Sequence, residues 1–395
     1  MSVLYLSYDG MLEPLGQSQV LAYLTRLAVD RSIHLISFEK PEDWANVVER
    51  QRLAREISVA GITWHPLRYH KRPSALATAW DIFCGASLGL WLVLQYRLRI
   101  VHARSYVASV MALFIKNLTG VTFIFDMRGF WVDERVDGGL WPKGGRMFGV
   151  AKAFERRFFR SADHVVSLTN AAVREIRHFD YLQERMPPVT VIPTCADLTR
   201  FTPSSRDRGT AGFVLGYVGS VGTWYLFDEV ATCFAHLLRL RPDSRFLIVN
   251  RGEHAYIKCK LRAFGVPESI VDLVNVPHAE VPAQIARMDA GVFFIKPVFS
   301  KQASAPTKLA EFLGCGIPCL GNAGVGDMAD LLEYEQVGIA ISSFDESQMI
   351  AGLQRLFRLV ADPDTRKRCV SAAQRHFSLD EGVARYRAIY EGFDA

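Results

Sequence analysis

Ser304, Thr307, Lys308 and Glu311 stand at i, i+3, i+4 and i+7. A helix would carry all four on one stripe, with Leu309, Phe312 and Leu313 on the other side to anchor it to a core. Pro306 suits the first turn of such a helix, and Gly314 and Gly316 suit its end. The N-terminus of the helix could hold an anion. Lys308 and nearby amides would then meet a diphosphate, while the Glu311 carboxylate accepts hydrogen bonds from paired ribose hydroxyls. That is the chemistry of holding a nucleoside diphosphate. An ordinary amphipathic surface helix would show the same periodicity.

Residues 125–137 form the densest polar cluster and follow a run that reads as a buried strand. Arg128 cannot act as a base at neutral pH, but it can bind an acceptor phosphate or a developing negative charge. Asp126, Asp133, Glu134 and Asp137 compete as groups that position an acceptor or take its proton; solvated loop carboxylates are the plain alternative. His102 and Arg104 end another strand and are expected to face the same cleft, although a lone histidine is often structural. Gly16 precedes a helix opening at Gln17 or Ser18, where backbone amides could meet a phosphate. Gly216, Gly219 and Gly222 run from the end of a strand into the loop after it, where glycine lets backbone approach a ligand closely. Their spacing is GxxGxxG, and the next strand ends in Val249-Asn250-Arg251 with no acidic ribose partner, so a nicotinamide enzyme is disfavoured.

The elements that must position these residues alternate along the chain. Strands are expected at 3–7, 34–38, 62–65, 100–103, 122–125, 164–168 and 189–192. Helices are expected between them at 17–29, 42–60, 76–97, 108–118, 146–160 and 171–179. Pro, Thr, Ser, Arg, Asp and Gly then dominate 193–212, which suits a linker. The rhythm restarts with strands at 213–218, 245–249, 273–276, 291–295, 318–320 and 338–341. Helices are expected near 227–240, 281–288, 307–313, 348–361, 364–376 and 379–393. Such alternation implies two parallel sheets, each covered on both faces, with ligands beyond the carboxyl ends of the strands.

A chain of 395 residues, half of them hydrophobic, can bury the cores of two domains. Seven cysteines without a paired pattern fit a reducing compartment. Cys315 and Cys319 read as small buried thiols, since no Cys/His cluster accompanies them. Val3-Leu-Tyr-Leu6 reads as a strand at the very start, so no leader is expected. Residues 82–96 lack charges but are shorter than a bilayer span; they read as a buried helix, or as one dipping into a membrane surface. Residues 1–200 hold 25 basic and 19 acidic side chains, against 21 and 22 in the remainder. That basic half suits an anionic acceptor or leaflet and is far too weak to imply nucleic acid.

Four segments resemble the GT4-type retaining glycosyltransferases of GT-B fold. Residues 304–318, from Ser304-x-Pro-x-Lys-x-x-Glu-Phe-Leu to Gly316-Ile-Pro318, resemble the nucleotide-sugar signature. Residues 9–20 resemble the N-terminal glycine loop, with Leu15 where a first glycine is usual. Residues 162–169, and 191–197 with Phe201 and Pro203, resemble two further blocks. The resemblance implies two Rossmann-like doubly wound parallel-sheet domains facing an interdomain cleft. Residues 1–195 would bind the acceptor, 196–212 would be a linker, and 213–376 would bind the nucleotide sugar. Residues 377–395 would pack back on the N-terminal domain, with Tyr386 and Tyr390 placed to do so.

The implied reaction is retaining transfer of a sugar from a nucleotide diphosphate sugar to a hydroxyl of a glycan or lipid-linked acceptor. No metal or other cofactor is required, and cell-surface polysaccharide or glycolipid synthesis is the expected setting. The expected location is cytoplasmic, with peripheral contact at the inner face of the membrane. Gly16, Gly219, Ser304, Thr307, Lys308 and Glu311 would hold the donor. Asp126, Arg128 and Glu134 would be catalytic, Arg128 standing where many relatives have a histidine. Gln17, His102, Arg104, Asp133, Asp137, Arg251 and His278 would contact acceptor or base, His278 lying where the base-binding loop is expected. Two departures matter. The 219–225 loop lacks the family's Arg and Lys, leaving Lys308 and Arg251 for the phosphates. Ala303 stands where many relatives have a Glu that touches the sugar. A GT-B-type sugar-nucleotide epimerase and a non-catalytic nucleotide-sugar-binding partner subunit are the alternatives.

Overall fold

The computed structural model describes residues 2–204 and 212–394. The chain divides into two compact units, one of Met1–Pro193 with Leu379–Ala395 and one of Thr194–Ser378. The short apolar runs of the first unit form β1 (Val3–Ser7), β2 (Ile33–Glu39), β3 (Ile62–Arg68), β4 (Ile100–Arg104), β5 (Thr122–Asp126), β6 (His164–Ser167) and β7 (Val189–Val191). They pair in parallel in the order β3-β2-β1-β4-β5-β6-β7. Strands β1, β2 and β4 are buried along their whole length, as expected for a sheet with helices on both faces. The order reverses between β1 and β4, so the loops after those strands open a crevice at their carboxyl ends.

The second unit repeats this plan with β8 (Val214–Val218), β9 (Arg245–Val249), β10 (Val271–Val274), β11 (Ala290–Val292), β12 (Cys319–Asn322) and β13 (Gly338–Ile341). The parallel order is β10-β9-β8-β11-β12-β13, with its reversal between β8 and β11. One core runs from Tyr217 and Phe234 through Phe293 and Phe312 to Leu353.

Every expected strand is present, with ends displaced by up to three residues. The helices depart more. The 42–60 segment breaks into Pro41–Trp44 and Val47–Val59, because the Asn46 side chain accepts the Glu49 amide at 3.2 Å and starts a new helix. The 17–29 segment starts earlier, at Pro14, and carries a π-helical turn over Gln17–Leu21. Trp131–Asp137, His254–Ala263 and Met328–Tyr334 are helices that lacked a long enough apolar period to be legible. Of the expected linker, Ala196 and Phe201 are buried in the second unit's core, and residues 205–211 lie outside the described residues.

The 82–96 run belongs to the Ser74–Tyr96 helix and is not buried as expected. Its small residues Ala77, Gly85, Ala86 and Gly89 face the unit, while Trp80, Phe83, Trp91 and Leu94 are exposed. Tight packing explains the orientation: a Cβ on Gly85 would lie 2.6 Å from Met111 Sδ. At the chain's end, Leu379–Glu391 packs as a helix on the first unit beside the Ala22–Leu27 helix.

Candidate functional site

The chemistry expected of the second unit gathers on Thr307–Gly314, a helix whose residues from Lys308 onward are all buried. Ser304 precedes it in extended backbone, so only Thr307, Lys308 and Glu311 share the stripe; Ser304 does not join them on the helix. Nor is it a surface helix. Phe312 stacks on Phe293 with ring centroids 6.4 Å apart.

Lys308 Nζ has no hydrogen-bond partner among the described residues. It lies over the Tyr225 ring at 3.6 Å and faces Tyr217 and Phe293 at 4.9 and 5.6 Å. Burial, only partly offset by Glu311, pushes its pKa down to about 7. Gly219, at φ +114°, sits against it: a Cβ there would be 3.1 Å from Nζ. The glycine loop after β8 and the helix lysine therefore meet, and Gly219 leaves the ammonium an open side. Glu311 lies 3.5 Å from His278 Nε2, whose ring packs edge-on to Phe201. Arg251 is exposed on the loop after β9. Buried Ala303 ends the Phe299–Ala303 turn and offers no polar group.

Sequence reasoning missed three residues here. Trp224 and Tyr225 occupy the loop that lacks Arg and Lys, and each carries a lysine over its ring; Lys301 Nζ is 3.9 Å from the Trp224 centroid. Glu253 accepts the Val221 amide at 3.1 Å and an Asn250 Nδ2 hydrogen at 2.8 Å, tying the loops after β8 and β9 together. The adjacent aromatic pair was the signal available. Cys315 and Cys319 are buried free thiols, as read.

In the first unit the crevice residues come from the ends of β1, β4 and β5. Asp126 is almost wholly buried; Tyr386 Oη donates to its Oδ2 at 2.8 Å, and Arg128 Nη1 lies 3.9 Å from Oδ1. Burial pushes the Asp126 carboxyl up, but Arg128, His102 and Arg104 outweigh this and hold it below the ordinary aspartate value. Asp126, expected to position an acceptor or take its proton, is enclosed by Tyr386, His102 and Arg128. His102 is likewise covered: its Nδ1 is 2.7 Å from Tyr390 Oη, and burial lowers its pKa. Tyr386 and Tyr390 of the C-terminal helix thus cover both groups. Arg104 is buried, with Nε 3.2 Å from Asp9 Oδ2. Arg128 has a left-handed backbone at φ +56° and a partly exposed side chain, which leaves it the group best able to meet an anion.

Asp133, Glu134 and Asp137 lie on the Trp131–Asp137 helix rather than in a loop. Asp133 accepts from Lys152 Nζ at 2.6 Å; the same ammonium reaches Glu155 at 2.8 Å, so Asp133 is tied into packing against the Arg146–Ser161 helix. Glu134 and Asp137 are half-buried. In the loop before Gln17, Glu39 at the end of β2 accepts the Met11 and Leu12 amides at 2.8 and 3.1 Å. Gly16 is required by packing: a Cβ would be 2.0 Å from the Gly10 carbonyl oxygen. Gln17 Nε2 turns back to the Leu12 carbonyl at 3.5 Å.

Residues 18–195 match the model of the glycosyl transferase 4-like domain. Comparison with curated protein sequences finds no match. Solved structures share the fold across the whole chain. Sucrose-phosphate synthase from Thermosynechococcus elongatus superposes with a TM-score of 0.74 at 13% identity, covering 100% of this chain and 99% of its own. Anabaena HepE in complex with UDP-glucose gives 0.68 at 14% identity, covering 99% and 100%. The lipopolysaccharide outer core galactosyltransferase WaaB gives 0.66 at 13% identity, covering 99% and 100%.

Proposed function

We propose that this chain, whose residues 18–195 match the glycosyl transferase 4-like domain and whose fold is that of the GT-B enzymes it superposes on, is a GT4-like glycosyltransferase that moves a sugar from a nucleoside diphosphate sugar to an acceptor hydroxyl with retention of configuration. The observation that carries this reading is Lys308, a buried ammonium without a hydrogen-bond partner among the described residues, set beside Gly219 and one helical turn before Glu311. An unpartnered cation of this kind favours an incoming anion. Glu311 would accept from the ribose hydroxyls, with His278 next to the base. HepE has been crystallised with UDP-glucose, which supports a nucleoside diphosphate sugar as donor here.

In this reaction the bond from the anomeric carbon to the diphosphate oxygen breaks on the face where the acceptor oxygen arrives. The acceptor's proton passes to the departing phosphate oxygen. Lys308 stabilises the charge gathering on the diphosphate, so the step as proposed needs no metal ion and rests on positioning and electrostatics. Arg128, held by Asp126, would bind an anionic group of the acceptor. That suits a glycan or lipid-linked acceptor of the kind used in cell-surface polysaccharide or glycolipid synthesis, on the cytoplasmic side. A thermal-shift screen of UDP-, GDP-, ADP- and dTDP-sugars should identify the donor, and labelled donor with an acceptor extract should yield labelled product. Isomerised donor without acceptor would indicate an epimerase; binding with no turnover would indicate a partner subunit.

A further inference from the structure

We propose that the outer face of the Ser74–Tyr96 helix is a membrane-docking surface that lies along the headgroup region of an anionic bilayer. Leu76, Trp80, Phe83, Trp91 and Leu94 are between 52% and 72% exposed. Their positions, with exposed Ser87 among them, advance in steps of three and four and form one continuous stripe. An ordinary surface helix buries its large apolar residues; this helix packs mainly its small residues Ala77, Gly85, Ala86 and Gly89 inward, with Leu92 and Val93, and leaves five large apolar side chains exposed. The orientation is fixed from beneath. A Cβ on Gly89 would lie 2.7 Å from Ile115 Cδ1, and one on Gly85 would lie 3.0 Å from Phe38 Cζ, so no ring could take the inner side. Phe114 and Leu118, exposed on the neighbouring Ser105–Thr119 helix, add to the apolar surface.

Charge selects the occupant. Asp81 is the one acidic residue between positions 71 and 121, and it is buried, accepting from Tyr8 Oη at 2.9 Å and the His70 amide at 3.1 Å. Lys71 and Arg72 are exposed before the helix, and Arg97 and Arg99 after it. An apolar stripe with aromatic side chains and cations at both ends complements an anionic lipid surface. A second copy of the chain fits poorly, since a two-fold interface on this stripe would bring cations against cations. The helix is long and apolar enough to cross a bilayer. However, Asp81 and the inward glycines hold it lengthwise against the sheet and the Ser105–Thr119 helix, so it lies on the membrane.

This inference is independent of the donor chemistry, because binding to lipid is read without turnover. The full chain is mixed with vesicles of phosphatidylcholine alone, or of phosphatidylcholine with about one third phosphatidylglycerol, at about 150 mM salt, and sedimented. The expected result is co-sedimentation with the anionic vesicles, loss of binding in high salt, and a blue shift of tryptophan emission. The variant Trp80→Ser/Phe83→Ser/Trp91→Ser and the variant Lys71→Glu/Arg72→Glu/Arg97→Glu/Arg99→Glu should each lower partitioning by at least about tenfold. Both alter exposed positions, so melting temperature and UDP binding should match the parent's. The proposal is overturned if the parent stays in the supernatant with both vesicles, or if both variants bind as the parent does. It is also overturned if light scattering shows a dimer that the aromatic substitutions dissociate, which would assign the face to a second copy.

Discussion

Lys308 and Glu311 share one helix face but differ in what they need from a ligand. The ammonium is enclosed by rings that attract a cation without accepting a hydrogen bond. Because burial pushes its pKa down to about 7 from 10.5, the folded protein binds this proton less well than the unfolded chain does. Stability from this group should therefore be lowest below pH 7 and rise as pH climbs from about 7 towards 10.5. Chemical denaturation across that range should show the slope, and Lys308→Met should remove it. Ligand affinity should run the other way. A nucleoside diphosphate favours the charged lysine, so UDP binding should take up a proton and weaken by up to about tenfold per pH unit above 7. Calorimetry in buffers of different ionisation enthalpy reads that uptake directly. Glu311→Ala should weaken donor binding by about a hundredfold; unchanged affinity would remove the ribose assignment.

The C-terminal helix Leu379–Glu391 does more than close the chain, since Tyr386 and Tyr390 supply hydrogen bonds to Asp126 and His102. Tyr386→Phe leaves a buried carboxylate whose remaining neighbours, His102 and Arg128, lie 3.6 and 3.9 Å away. The expected loss is about 1–3 kcal/mol of stability in the first unit, measured by urea denaturation, with UDP binding unaffected. Individual elements differed in how legible they were. The strands were read because a sheet buried on both faces requires unbroken apolar runs, as in Val3–Ser7 and Ile33–Glu39. The Trp131–Asp137 helix was not, because seven residues with four charges show too little periodicity to be told from a polar loop. The Ser74–Tyr96 helix is legible as a helix, but its sequence leaves open whether it is buried or dips into a membrane surface; its outer face is exposed. A sequence pattern records which residues are apolar and leaves open which side the small ones pack.

At the scale of the molecule, two units share the same parallel plan. If donor binding belongs to Thr194–Ser378 alone, UDP should slow hydrogen exchange of amides near 219–225 and 304–311 while leaving those of β1, β4 and β5 unchanged. Equal protection in both units would show that the donor site is not confined to the second. The sequence by itself determined the two-domain α/β plan, the strand positions, and the pairing of Lys308 with Glu311 on one helix face. These follow from local periodicity and from residues a few positions apart, which covalent geometry brings together. Only the tertiary structure decided that Tyr225 cradles Lys308, that Glu39 takes the amides of the first glycine loop, and that Tyr386 and Tyr390 enclose Asp126 and His102. Those contacts join residues tens to hundreds of positions apart, and strand order and helix orientation, rather than spacing along the chain, bring them within reach.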